Sequence, residues 1–209
     1  KNTEKVLEII KQQPFDDLMM CYTSADIAVP TQLAIHKHMK LLTPSQDAVW
    51  NAIVKSRSVE RWQAAGILNR FSQRCEKLED LKIPSYVKDI IIKPNISSGS
   101  RGITIIKEEE LTRESLEKAF KKASEDSLDH GVVVEEFLHG TEYTVEMLGD
   151  DYGSVAVYGI SQKYYTKYVN DNKIATKLHY NAQSISEKQL EDIARIGQEC
   201  YKALGLRNS

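Results

Sequence analysis

Lys93 ends the apolar run Ile90-Ile91-Ile92-Lys93-Pro94, and the small-residue stretch Asn95-Ile96-Ser97-Ser98-Gly99-Ser100-Arg101-Gly102 follows at once. One cation thus stands beside several hydroxyls and open backbone N–H groups. A lysine ammonium is a compact point charge, and Gly99 and Gly102 would let the backbone approach a ligand closely. Exposed N–H groups of such a turn suit phosphate oxygens. A second apolar run, Ile103 to Ile106, makes the pattern strand, small turn, strand, which is a hairpin signal. The chemistry suggested is a nucleoside triphosphate held under a hairpin. Taken alone, a solvated hairpin tip with a surface lysine is the commoner meaning of such a loop.

Other phosphate-binding patterns do not fit. No GxxxxGK[ST] occurs and no helix pattern opens at Gly102, so this is not a Walker A loop. A strand rather than a helix follows the glycines, against a dinucleotide fingerprint. Protein kinases also carry a Gly-rich loop between strands, but His-Arg-Asp and Asp-Phe-Gly are both missing here. No Ser-His-Asp or Cys-His arrangement suggests a side-chain nucleophile.

A second constellation is Glu135-Glu136-Phe137-Leu138-His139-Gly140-Thr141-Glu142, with carboxylates at a strand-to-turn junction. Strand alternation turns successive side chains to opposite faces, so a solvent-facing Glu135 or Glu136 is the simple expectation for one glutamate. The order Lys-Pro, Gly-rich hairpin, helix, then Glu-Glu-Phe-Leu-x-Gly-x-Glu is harder to produce at random.

The elements that must position these residues are legible in outline. Asn2 or Thr3 can cap a helix carrying Val6, Leu7, Ile9 and Ile10, which Pro14 ends. Leu18-Met19-Met20-Cys21 reads as a short buried strand. Val29-Pro30 opens a helix with Leu33, Ile35 and Met39, and Thr43-Pro44-Ser45 opens another with Ala48, Val49, Ala52 and Ile53. A fourth helical pattern starts at Ser58 and stops at Gly66. The first 85 or so residues are therefore helix-rich, with one or two strands. Beyond Asp89 come the hairpin, a helix capped by Thr112, a strand over Gly131–Leu138, then Tyr143–Leu148 and Ser154–Ile160 reversing at Tyr152-Gly153 as an antiparallel meander. Ser186-Glu187-Lys188-Gln189 is a capping box opening a last helix, closed by Gly205. The class is α+β with largely antiparallel pairing.

Composition narrows the function without naming it. The chain has 209 residues, 41% hydrophobic and 28% charged, with a net charge of −2. Lys and Arg are scattered, so nothing favours nucleic acid. No apolar run reaches the roughly 20 residues needed to cross a bilayer, and no secretory signal is present. Cys21, Cys75 and Cys200 are odd in number and widely spaced, which fits free thiols in a reducing, cytoplasmic setting.

From about Ala25 to Asn208 the chain resembles the ATP-grasp superfamily, the fold of D-alanine–D-alanine ligase, biotin carboxylase and the carbamoyl phosphate synthetase large subunit. The resemblance is strongest over Asp89–Gly102 and Val132–Glu146. It implies ATP between two α+β subdomains, the smaller carrying the hairpin as a lid over an antiparallel-sheet subdomain. Lys93 resembles the lysine that contacts the α-phosphate and the adenine side. Ser97, Ser98, Gly99, Ser100, Arg101 and Gly102 match the loop over the β- and γ-phosphates. Glu135, with Glu136 beside it, matches the acidic residue near the adenine amino group. Phe137 and Leu138 match the hinge whose backbone meets the adenine ring, and Glu142 the glutamate that takes the ribose hydroxyls. Lys55 resembles an upstream phosphate-contacting lysine, although Val54 replaces the usual acid before it; a solvated helix lysine is the alternative. Lys163, Tyr164, Tyr165 and Lys167 fall near the acceptor side, as does His179, for which a polar loop position is preferred.

The resemblance divides the chain into a partial pre-ATP-grasp region over 1–45, a helical linker and first part of the ATP-grasp domain over 46–88, a lid over 89–138, and an incomplete large subdomain over 139–209. It implies an ATP-dependent carboxylate–amine (or carboxylate–thiol) ligase working through an acyl phosphate. The cofactors implied are ATP and Mg2+, with metal ligands expected beyond residue 209 and none within the chain, so the chain by itself is expected to be inactive. The expected partners are ATP and a small carboxylate-bearing substrate with an amine acceptor, without nucleic acid or membrane; a homodimer is left open. The alternative is a non-catalytic nucleotide-binding or scaffold module of the same fold.

Overall fold

The computed structural model describes residues 2–12, 21–23, 28–167, 174–181 and 185–209. The structural centre is a four-stranded antiparallel sheet in the order β1-β4-β2-β3, where β1 is Ser72–Cys75, β2 Ile90–Pro94, β3 Thr104–Ile106 and β4 Val132–Glu136. Ile90 pairs with Ile106 across the hairpin, and Ile92 with both Thr104 and, on the other side, Val134. Alternation then sends Ile90, Ile92, Val132 and Val134 to one face, where they pack with Cys75 and Ile106 against Ala119, Phe120 and Ala123. Those three sit at helical spacing on α5 (Arg113–Asp126), which Thr112 and Ser115 cap reciprocally. Burial in this core pushes the Cys75 thiol pKa up, and all three cysteines are free thiols.

A second sheet, β5-β6-β7, is the expected meander extended by one strand: Tyr143–Gly149, Val155–Lys167 and Ile174–Asn181. The last helix, α6 (Glu187–Ala203), starts at the Ser186/Gln189 capping box and packs on β5 and β6. The N-terminal helices are α1 (Thr3–Lys11), capped by Asn2, α2 (Val29–Met39), with Pro30 in its first turn, α3 (Gln46–Ile53), capped by Ser45, and α4 (Lys55–Ala64). Asn51 Nδ2 donates to Leu204 O at 3.2 Å and Trp62 Nε1 to Cys200 O at 3.2 Å, so α3 and α4 are tied to α6. Pro14 and most of the strand expected at Leu18–Cys21 lie outside the described residues; Cys21 itself is not in a strand.

One boundary differs from the sequence reading. Helix α4 starts at Lys55, three residues before the expected Ser58. Its N-cap residue, Val54, offers no side-chain acceptor. The cap comes from Asn95, just past β2, whose Oδ1 accepts from Ser56 N at 3.0 Å while its backbone O accepts from Lys55 N at 3.1 Å. Asn95 is 1% exposed, and its Nδ2 donates to Asp129 Oδ2 at 2.7 Å. A helix start supplied from another segment leaves no local signature.

Asp129 anchors this join. Partial burial opposes its ionisation, but the Ser127 hydroxyl, the Asn95 amide, the Gly131 N–H and the Arg74 charge outweigh it and hold its carboxyl below the usual range. Asn95→Ala leaves buried groups without partners and should cost about 1–3 kcal/mol in denaturant titration. A group with a depressed folded pKa stabilises above its unfolded pKa, about 3.9 for aspartate, and ceases to do so as pH falls through the folded value. Asp129→Asn should therefore lower Tm most at neutral pH, the difference from wild type shrinking below about pH 4; a pH-independent difference would contradict this account.

Candidate functional site

The face of the first sheet opposite α5 carries the site. Ile91 pairs with Glu135 and Lys93 with Val133, so Lys93 and Glu135 are diagonal neighbours on one face of adjacent strands. Lys93 Nζ lies 2.7 Å from Glu135 Oε2, and Arg70 Nη2 lies 2.5 Å from the same oxygen. The Glu135 side chain is 0% exposed; both cations are 18% exposed. This corrects the solvent-facing expectation for Glu135. It sits on β4, between β1 and β2, where both edges of the strand are paired and both faces are covered. Glu136, opposite Ile90, is half-buried. Glu135 Oε1 and Arg70 Nε are buried and have no hydrogen-bond partner among the described residues.

Lys55 is the first residue of α4, and its Nζ donates to Ser97 O at 3.1 Å. The helix start therefore fastens the root of the Gly-rich loop, and the alternative of a freely solvated lysine does not hold. Ser97 Oγ is also buried without a hydrogen-bond partner among the described residues. Ser98 O accepts from Arg101 Nε at 3.1 Å, and Gly99 to Arg101 form the exposed tip. Gly99 (φ +70°) faces open space, consistent with backbone that a ligand could approach. Gly102 does not. At φ +69° an added Cβ would lie 2.7 Å from Pro94 Cγ and 2.8 Å from Asp126 Cβ. Its missing side chain serves the hairpin's own packing against the end of α5, a requirement for glycine that is independent of any ligand.

The segment after β4 is fastened at its start. Phe137 N donates to Asp89 O at 2.8 Å, and His139 Nε2 stands 2.8 Å from Asp89 Oδ2. The Asp89 carboxyl is held below its usual range first by the Glu108 N–H and then by His139. The Phe137 and His139 rings meet edge to face at 5.0 Å, whereas Leu138 is exposed. Glu142, 48% exposed, is seated against Lys163, whose Nζ donates to its Oε1 at 2.5 Å and whose N–H donates to its carbonyl at 2.9 Å. Lys163, read from sequence as acceptor-side, is thus the immediate partner of Glu142. Tyr165, Lys167 and His179 fall on the backbone of β6 and β7.

Two members of this arrangement had no signal in the sequence. Arg70 precedes β1, a strand with no strong pattern, and reaches Glu135 because Ser72 is registered opposite that residue. Asn95 looked like part of the loop but caps α4. Among the described residues no cluster of three or more His, Cys, Asp or Glu could hold a metal ion, and no helix is long and apolar enough to cross a membrane.

Glu135 Oε1 and Arg70 Nε, unpaired beside the Lys93 charge, are an acceptor and a donor of the kind a polar, anionic ligand with its own donor would satisfy, and Ser97 Oγ is a further unpaired hydroxyl at the root of the Gly-rich loop. In line with this, the ATP-grasp domain family matches residues 86–209. A D-alanine--D-alanine ligase B of Clostridium tetani (strain Massachusetts / E88) is 32% identical over 146 residues, 66% of this chain and 38% of that protein. A D-alanine--D-alanine ligase of Buchnera aphidicola subsp. Schizaphis graminum (strain Sg) is 36% identical over 78 residues, 37% of this chain and 22% of that one. The crystal structure of L-amino acid ligase from Bacillus licheniformis superposes with a TM-score of 0.79 at 20% identity, covering 99% of this chain and 46% of its own. VanG D-Ala:D-Ser ligase from Enterococcus faecalis gives 0.67 at 21% identity, over 84% of this chain and 52% of its own. The chain spans 22% and 38% of the length of these two curated relatives.

The two glycines should separate in a stability assay. Gly99→Ala meets only the left-handed backbone and should cost about 1–2 kcal/mol. Gly102→Ala adds overpacking of about 1–3 kcal/mol to that, and equal losses for the two would refute the packing role.

Proposed function

We propose, because the chain belongs to the ATP-grasp domain family, that it forms the nucleotide-holding part of an ATP-dependent ligase joining a carboxylate to an amine. The observation that carries this reading is the half-buried Lys93, set against the fully buried Glu135 beside a Gly-rich hairpin. In this reading a carboxylate oxygen of the substrate bonds to the γ-phosphorus of ATP as its bond to the β–γ bridging oxygen breaks, giving an acyl phosphate and ADP; the amine then attacks the acyl carbon, phosphate leaves and the amine nitrogen gives up a proton. The chain's own groups bind and orient. Lys93 faces the phosphate nearest the base. The backbone N–H groups of Ser98 to Arg101 close over the outer phosphates, and Lys55 keeps that loop rooted through Ser97. Glu135 Oε1 accepts from the amino group of the adenine, the Phe137–Leu138 backbone borders the ring, and Glu142 accepts from the ribose hydroxyls once it turns from Lys163. Preorganised N–H groups and cations of this kind stabilise charge that moves during phosphoryl transfer.

Mg2+, when bound with ATP, would supply neutralisation of phosphate charge. The described residues offer no cluster for it, so no step here is assigned to the metal. The domain limits at 45, 88 and 138 are part of the same proposal. In the sheet, β1 precedes residue 88 yet pairs with β4, so this proposal counts it with the hairpin segment.

Isothermal titration of the purified protein with ATP tests the reading. Lys93→Ala should weaken ATP binding by about tenfold or more, equivalent to roughly 1.4 kcal/mol, and Glu142→Ala should weaken ATP but not pyrophosphate. Absence of ATP binding to the wild type would refute the assignment. ADP release that depends on an added amino acid would support a ligase; ATP binding without it would favour a nucleotide-binding module.

A further inference from the structure

We infer that Arg70 is a positioning residue of the nucleotide site: it takes up the charge of Glu135 so that Lys93 keeps its own for a phosphate. The inference rests on the ATP reading above and assigns a role to a residue outside it. Both cations address one oxygen, Glu135 Oε2, at 2.5 Å for Arg70 Nη2 and 2.7 Å for Lys93 Nζ. The carboxylate is fully buried and each cation is largely so. Charges this poorly solvated interact strongly, and the sum decides what the site attracts. With Lys93 alone, Glu135 would make a neutral pair, closed to an anion. With Arg70 added, one carboxylate faces two cations and the cluster keeps a net positive charge where β2 meets the Gly-rich loop.

Geometry supports this division of labour. Arg70 enters from the segment ahead of β1, while Lys93 lies on β2, directly beside the loop root at Asn95 to Ser97. The lysine is therefore the cation able to leave Glu135 for a phosphate, and the arginine the one that stays. A guanidinium suits that fixed role through its planar fork, and a lysine on a flexible stem suits the movable one. Arg70 Nε, buried without a hydrogen-bond partner among the described residues, is a donor still uncommitted when Lys93 departs from the carboxylate.

The test compares ATP with adenosine, which carries no phosphate, by titration and by competition against ATP. Arg70→Met should lower ATP affinity about tenfold more than adenosine affinity, because Lys93 is then committed to Glu135. Arg70→Lys should keep the ATP-to-adenosine ratio within about threefold of wild type, since the charge is retained. Adding Glu135→Gln to Arg70→Met should restore the ratio, as no carboxylate remains to hold Lys93. A merely structural arginine would lower Tm and leave the ratio untouched, which would overturn the inference. Should Arg70→Met alone fail to fold, Glu135→Gln is compared with the double variant. Equal ratios support the positioning role, and a lower ratio in the double variant shows direct phosphate contact and overturns it. If the wild type binds ATP and Lys93→Ala weakens it while the Arg70 variants leave the ratio unchanged, this inference alone falls. A wild type that binds no ATP removes the ATP reading and the inference with it.

Discussion

A carboxylate with no solvent contact cannot be left without counter-charge, and Glu135 sets that condition for the whole first sheet. The cost of desolvating it is offset by two cations from different segments, Lys93 on β2 and Arg70 ahead of β1. Meeting the requirement draws on both strands that flank β4. On one side β2 brings Lys93 as the diagonal neighbour, and on the other β1, with Ser72 opposite Glu135, brings Arg70 from the segment ahead of it. The pairing of β4 with β1 and β2 thus supplies the counter-charge that this side chain requires. The opposite face of the same strands is ordinary core, closed by α5.

A second junction, centred on Asn95, couples the helical N-terminal segment to this sheet. Asn95 supplies the acceptor for the start of α4 and donates to Asp129, so the helix, the end of β2 and the turn before β4 share one polar network. The same junction brings Lys55 to Ser97. The Gly-rich loop is consequently rooted on both sides, by Lys55 at its beginning and by Gly102, packed under Pro94 and Asp126, at its end. Only the tip, Gly99 to Arg101, is left exposed. A loop with fixed roots and an open tip can close over a ligand with little loss of order elsewhere.

Much of this was readable from residue types. The β2–β3 hairpin followed from two isoleucine-rich runs around small residues, and α5 and α6 from capping residues ahead of apolar stripes. The motif pair around Lys93 and Glu135 pointed to the family that the comparisons recovered. Less was readable wherever the partner was distant in sequence. The start of α4 was misjudged because its cap lies 39 residues away from Ser56. The strand β1, Ser-Gln-Arg-Cys, lacks the β-branched and aromatic residues that mark strands, and it is held by pairing with β4.

Local chemistry therefore determined the hairpin, most of the helices and the caps of α1, α3, α5 and α6, because spacing and side-chain type act within a few residues of chain. Tertiary structure alone decided the charge state of the neighbourhood: which glutamate is buried, which arginine joins it, and that Gly102 serves packing while Gly99 faces open space. Those outcomes depend on register between strands up to 63 positions apart, as for Ser72 and Glu135, and a pairing of that kind is set by the burial of whole faces, which no short run of residues encodes.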